Sequence, residues 1–205
     1  ASGGGTSGEM TLALGPHSRR AIGVYAAGEA LHEALDRGVE KAILISTDKA
    51  AEPVNLYGST KLCAEKLFIS GNSYSGAKTK FSCVRYGNVI GSRGSIVEKL
   101  LNGQVAPITD KSMTRFWISL EQSFKLVLFA LENMEKGETF VPKIPSMKLL
   151  DLFVALQPGL KREVIGILPG EKIHEVLISS EEARHAVELE DYYVILSECY
   201  QFLPE

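Results

Sequence analysis

Apolar residues along the chain recur in two patterns. Ala42-Ile43-Leu44-Ile45 is a continuous apolar run, which predicts a strand buried on both faces. It stops at Ser46-Thr47-Asp48-Lys49, where two opposite charges sit beside a hydroxyl. Ahead of it, from Val24, residues Ala27, Leu31, Ala34 and Leu35 share one helical face, and Arg37-Gly38 supplies the stop. After it, a turn through Pro53 opens a second helical pattern at Leu56, and Phe81–Tyr86 reads as another strand ending at Gly87-Asn88. Ser119 and Gln122 form a capping box for a helix whose stripe reads Phe124, Val127, Leu128 and Leu131 and which ends at Gly137. Ser146 reads as the N-cap of a helix with stripe Leu149, Leu152, Phe153 and Leu156. Val164–Ile167 and Asp191–Ile195 read as late strands. A helix feeding a strand, followed by helix and strand again, is the rhythm of an α/β fold.

Composition narrows the class. The chain has 205 residues, enough for one sizeable core or a domain with a small lobe. Its 45% hydrophobic and 23% charged residues are ordinary for a soluble globular protein, and a net charge of -3 argues against nucleic acid or an anionic membrane as partner. No apolar run approaches the roughly 18 residues of a membrane span, and no signal peptide is visible. Cys63, Cys83 and Cys199 are odd in number and widely spaced, as reduced cytoplasmic thiols are. They form no metal-ligand spacing with His17, His32, His174 or His185, so no metal site is expected. Residues 1–20 are Gly/Ser-rich and read as a flexible leader: no apolar strand precedes Gly3-Gly4-Gly5-Thr6-Ser7-Gly8, as a dinucleotide phosphate loop requires.

In open α/β sheets ligands bind beyond the carboxyl ends of the strands, which places Thr47, Asp48 and Lys49 where chemistry is expected. Tyr57 and Lys61 are four residues apart at the start of a helix, so one face carries both. A nearby ammonium favours the phenolate and lets a tyrosine of ordinary pKa about 10 act as a base nearer neutrality. Tyr74 and Lys78 share the spacing, but in a Gly/Ser-rich loop where no helix aligns them.

The run STDKAAEPVNLYGSTKLCAEKLF (46–68) closely resembles the extended short-chain dehydrogenase/reductases that dehydrate nucleotide sugars. Within them it is most similar to the inverting UDP-N-acetylglucosamine 4,6-dehydratases that open pseudaminic acid synthesis. RYGNVIGSRGS (85–95), PITD and MTRFWI (107–118), FVPKIPSMK (140–148) and PGEKIHE (169–175) carry the likeness in order, from about Val24 to Ile195. The resemblance implies a Rossmann-like parallel sheet with its N-terminal, nucleotide-binding half largely missing. Residues 21–90 would hold the rest of that domain and its catalytic residues. Residues 91–205 would form mainly a small C-terminal α/β substrate-binding lobe, interleaved with Rossmann elements.

The resemblance further implies NADP or NAD as cofactor and a UDP-sugar as substrate. Tyr57, with Lys61, would take the proton of the sugar C4 hydroxyl as hydride leaves for the nicotinamide. Lys49 would abstract the C5 proton, Asp48 would protonate the departing C6 hydroxyl, and hydride would return to C6. Thr47 would hydrogen-bond near C4. Asn88, Arg93, Arg115 and Glu171 would hold the nucleotide sugar, and Tyr57, Lys61 and Tyr86 the cofactor. Asp48 and Lys49 would both have to be neutral when they act, which calls for a dry pocket. The chain departs from its relatives at Gly23, where they carry Asn, and at Leu168, where they carry Arg. A shortened sheet is also expected to expose an edge and apolar faces, favouring a homo-oligomer. Two other readings remain: a non-catalytic nucleotide-sugar-binding or assembly module, and an epimerase or reductase of the same fold. The second leaves the Asp48-Lys49 pair without a purpose.

Overall fold

A computed structural model describes residues 22–74, 78–92 and 94–197. The leader at 1–20, Arg93 and Cys199 lie outside them. In chain order the elements are α1 (Ile22–Asp36), β1 (Lys41–Thr47), a 3-10 turn (Asp48–Ala50), α2 (Leu56–Ser70), β2 (Lys80–Tyr86), β3 (Asn88–Val89) and α3 (Ile96–Leu101). Then come β4 (Thr114–Ile118), α4 (Leu120–Asn133), β5 (Thr139–Pro142), β6 (Ser146–Lys148), α5 (Leu149–Leu156), a 3-10 turn (Glu182–His185), β7 (Ala186–Glu188) and β8 (Tyr192–Ile195).

The main sheet has the order β1-β2-β5-β8-β7. Its first three strands are parallel, and β8 and β7 extend it antiparallel. Alternation along the strands feeds two cores. On one face Phe81 packs with Leu31 and Ala34 of α1 and Phe68 of α2, joined by Ala42 and Leu44. On the other, Val84, Phe140 and Val194 pack with Leu126, Ala130 and Met134. Helices on both faces of a mostly parallel sheet make this a Rossmann-type α/β fold. A smaller sheet, β3-β4-β6, branches off where β2 ends, and beside it Leu100 of α3 and Phe153 of α5 pack with Ile108.

Several expectations are corrected by packing. β1 is not buried on both faces: among the described residues it pairs only with β2, and Ile45 is 53% exposed. The apolar run has the composition of a central strand at an edge position. The stripe assigned to α4 holds for Val127 and Leu131, which pack against the core, but Phe124 and Leu128 face outward, and Ser123, Leu126 and Ala130 are buried instead. Ser123 and Ala130 are small side chains that apolar counting ranks low, yet both are buried. α4 ends at Asn133, before Gly137, and the Glu138 carboxylate accepts the N–H groups of Glu135 and Lys136 in the turn that follows. Ser146 caps no helix; it pairs with Phe116 at the start of β6, and Lys148 precedes α5 with no side-chain cap. Val164–Ile167 forms no strand; it makes one bridge, Val164 to Ile108, and its aliphatic side chains are exposed.

Candidate active site

The parallel strands end together, Thr47 opposite Tyr86. Thr47 caps the 3-10 turn, its Oγ1 accepting the Lys49 N–H (3.5 Å) and donating to Asp48 Oδ1 (2.8 Å). Lys49 Nζ donates to the same oxygen at 2.9 Å. Asp48 is fully buried, and its Oδ2 has no hydrogen-bond partner among the described residues. Lys49 keeps 31% of its side chain exposed. Nearly buried Glu175 approaches Lys49 Nζ at 3.7 Å, and Lys172 Nζ lies 3.6 Å from its other oxygen while donating to the Ala51 carbonyl at 2.6 Å. Two acids and two bases thus alternate beyond β1.

The first turn of α2 docks onto this cluster. Asn55 Oδ1 accepts the Gly58 N–H (2.9 Å), capping the helix, and Asn55 Nδ2 donates to the Gly170 carbonyl (2.6 Å). A Cβ on Gly58 would lie 2.3 Å from the Lys49 carbonyl oxygen and 2.9 Å from Pro53 Cβ, so only glycine permits this approach. Gly58→Ala is expected to cost about 1–3 kcal/mol, read as a lower urea midpoint at constant slope. Beside that glycine, Lys61 Nζ lies 5.9 Å from the centroid of the Tyr57 ring, as four-residue spacing on a helix dictates.

The other residues singled out from sequence are placed differently. Asn88 Nδ2 donates to the Phe116 carbonyl (3.2 Å). Arg115 donates to the carbonyls of Thr114 (2.7 Å) and Ile173 (3.2 Å) and touches Met113 Sδ. Glu171 accepts the Leu168 N–H of its own turn. Tyr86 packs against the core under α4, and burial raises its hydroxyl above the ordinary value of 10. Thr47, Asp48 and Lys49 therefore form one hydrogen-bonded unit with the Tyr57 helix docked on it, whereas Asn88, Arg115 and Glu171 engage backbone.

Sequence reasoning missed Glu175, Lys172 and Asn55, and it missed a buried triad. Arg85 on β2 pairs with Glu65 of α2 (Nη2 to Oε2, 2.6 Å) and with Glu182 (Nη2 to Oε1, 2.8 Å), and donates to the Leu177 carbonyl. Burial alone would raise the Glu182 carboxyl, but the hydrogen bonds and charge of Arg85 outweigh it and hold that group at about 2. Alternation on β2 placed Arg85 on a buried face, which was the available signal. A cavity of about 580 Å³ adjoins the triad, and Thr47, Asp48, Lys49, Tyr57 and Lys61 do not line it.

A Rossmann-type sheet with Asp48, Lys49 and the Tyr57–Lys61 helix face at its strand ends puts these side chains where open α/β sheets bind ligands. A family model described as "Polysaccharide biosynthesis protein" matches residues 17–197, and the chain belongs to that family. It is 51% identical over 178 residues to the UDP-N-acetylglucosamine 4,6-dehydratase (inverting) of Campylobacter jejuni, covering 84% of this chain and 53% of that protein. It thus spans about half the length of that curated relative. The X-ray structure of Pen from Bacillus thuringiensis superposes with a TM-score of 0.81 at 35% identity, covering 86% of this chain and 58% of that one. A dTDP-glucose 4,6-dehydratase from Streptomyces venezuelae, solved with NAD and TYD bound, shares the fold at 18% identity (TM-score 0.68, 80% of this chain and 59% of that one).

Proposed function

We propose that this chain carries the acid–base and sugar-holding part of an inverting UDP-N-acetylglucosamine 4,6-dehydratase. The observation that carries the reading is the pair of buried Asp48 and partly exposed Lys49 docked against the Tyr57 helix. The donor set suits the nicotinamide-ribose end of NADP or NAD: a phenol and an ammonium share a helix face, and Ser46 Oγ is buried at the same strand end with no partner among the described residues. Tyr57, Lys61 and Tyr86 would hold that cofactor. Bound there, it would supply the hydride-transfer chemistry of the reaction.

The chain's own residues move the protons. Tyr57 takes the proton of the C4 hydroxyl, with Lys61 on the same helix face beside it. The C4 ketone so formed acidifies C5–H, whose proton passes to neutral Lys49. Neutral Asp48 gives its proton to the C6 oxygen, which leaves as water, and a proton delivered to C5 from the opposite face then completes the reaction with inversion. The ion pair in the structure and the neutral pair needed for this step contain the same number of protons. They differ by one proton shifted along the 2.9 Å hydrogen bond. Thr47 steadies Asp48 through the same oxygen. Asn88, Arg93, Arg115 and Glu171 are assigned to the nucleotide sugar.

The test is incubation of the protein at stoichiometric concentration with UDP-N-acetylglucosamine and NADP or NAD in deuterated water. Mass spectrometry is expected to find a sugar nucleotide short of one water, with deuterium at C5. Recovery of unchanged, undeuterated substrate despite calorimetric binding of both ligands would overturn the reading in favour of a binding module.

A further inference from the structure

We infer that Glu175 is a positioning residue for Lys49: it holds the lysine amine over the reacting carbon when Asp48 is neutral. The inference rests on the proposed dehydration and extends it to a residue outside the catalytic set. Its basis is a chain of four charges. Asp48 and Glu175 flank Lys49, at 2.9 and 3.7 Å, and Lys172 flanks Glu175 at 3.6 Å. The Glu175 side chain is 6% exposed, and its Oε2 has no hydrogen-bond partner among the described residues. A carboxylate buried with so few hydrogen bonds is costly unless nearby cations compensate it. Only the two lysines stand within ion-pair distance of it among the described residues.

The arrangement solves a problem set by the reaction. Before elimination Asp48 is neutral and can no longer anchor Lys49 by charge. Glu175, 3.7 Å from the Lys49 amine and beside Lys172, is the carboxylate that remains next to it. When the C5 proton arrives, the ammonium finds a carboxylate already in place. Asp48 loses its proton to the C6 oxygen in the same elimination, so the net charge of the four groups does not change. The groups facing Lys49 are Asp48 from the 3-10 turn and Glu175 from the 169–175 segment; α2, docked on that turn, brings Tyr57 and Lys61. The 169–175 segment is itself fastened to the site, through Gly170 to Asn55, Lys172 to Ala51 and Ile173 to Thr114.

The experiment reads Lys49 directly and needs no turnover. The full chain is treated with acetic anhydride at a series of pH values, and acetylation of Lys49 is followed by peptide mass spectrometry. An amine acylates only when neutral, and the partly exposed Lys49 side chain is within reach of a small reagent. Removing a carboxylate that favours the ammonium raises the neutral fraction. Glu175→Gln is therefore expected to acetylate Lys49 roughly tenfold faster at about pH 7, the ratio falling towards one as pH rises past the lysine range. Glu175→Asp, which keeps the charge, is expected to restore the original rate to within about twofold. A merely structural role would change the rate by the same factor at every pH, and that result, or no change, overturns the inference. Should Glu175→Gln fail to fold, Lys172→Met reads the same field with opposite sign. It leaves Glu175 uncompensated and is expected to slow acetylation of Lys49 several-fold at about pH 7. A pH-dependent response from a protein that never dehydrates substrate would separate the two claims: Glu175 would govern Lys49, and the dehydratase reading alone would fall.

Discussion

Arg85→Met is expected to destabilise the protein by about 3–5 kcal/mol, because it strands two carboxylates whose shared cation is gone. Glu65 is 2% exposed and Glu182 20%, so neither recovers full hydration when the guanidinium is removed. Urea denaturation of wild type and variant reads the difference. Replacing all three residues by apolar ones of similar volume is expected to return most of the loss, since the penalty lies in the unpaired charges. An equal loss in the triple variant would locate the cost in packing instead. Acid tests the same triad. The Glu182 carboxyl is held at about 2, below its ordinary 4.5, so its contribution is fully present above about pH 4.5 and is lost as pH falls from there towards 2. In Arg85→Met that part of the acid sensitivity should vanish.

Asp48→Asn is expected to slow dehydration by about 10²–10⁴-fold, or roughly 3–5.5 kcal/mol of barrier. An amide preserves the shape and the hydrogen bonds to Thr47 and Lys49 but has no proton to give the C6 oxygen. In the proposed reaction, oxidation at C4 precedes that step and depends on Tyr57, so reduced nicotinamide should still form, and accumulate, in a rapid-mixing absorbance measurement. Tyr57→Phe is expected to abolish both signals. If Asp48→Asn instead stopped nicotinamide reduction as completely, Asp48 would belong to binding or to C4 chemistry.

Much of the architecture was legible because it is local. Gly38 stops α1 at a φ of 64°, a conformation cheap for glycine, and the Ser119–Gln122 capping box forms as spaced. The strand–turn–helix unit that presents Thr47, Asp48, Lys49, Tyr57 and Lys61 was likewise readable. A strand must end where its apolar run meets charges, and a helix stacks residues four apart. Orientation was less legible. α4 has two adjacent apolar rows, Phe124 and Leu128 on one and Leu126 and Ala130 on the other, and hydrophobicity ranks the exposed row higher. Val164–Ile167 has strand composition yet lacks a neighbouring ladder, and a strand without one has nowhere to place its hydrogen bonds.

By itself, then, the sequence determined the local units and the family they resemble, because capping, helical spacing and strand termination depend on residues within a few positions of one another. The tertiary structure alone decided the charge partners. Glu175 meets Lys49, and Arg85 meets Glu182, across much of the chain, and both pairs exist only because the 169–182 region folds back over β1 and β2. A carboxylate's sequence neighbours do not reveal whether it will be buried or which cation will compensate it. Burial and pairing are set by how separate elements pack, and in this protein that packing joins a distant segment to the Asp48–Lys49 pair.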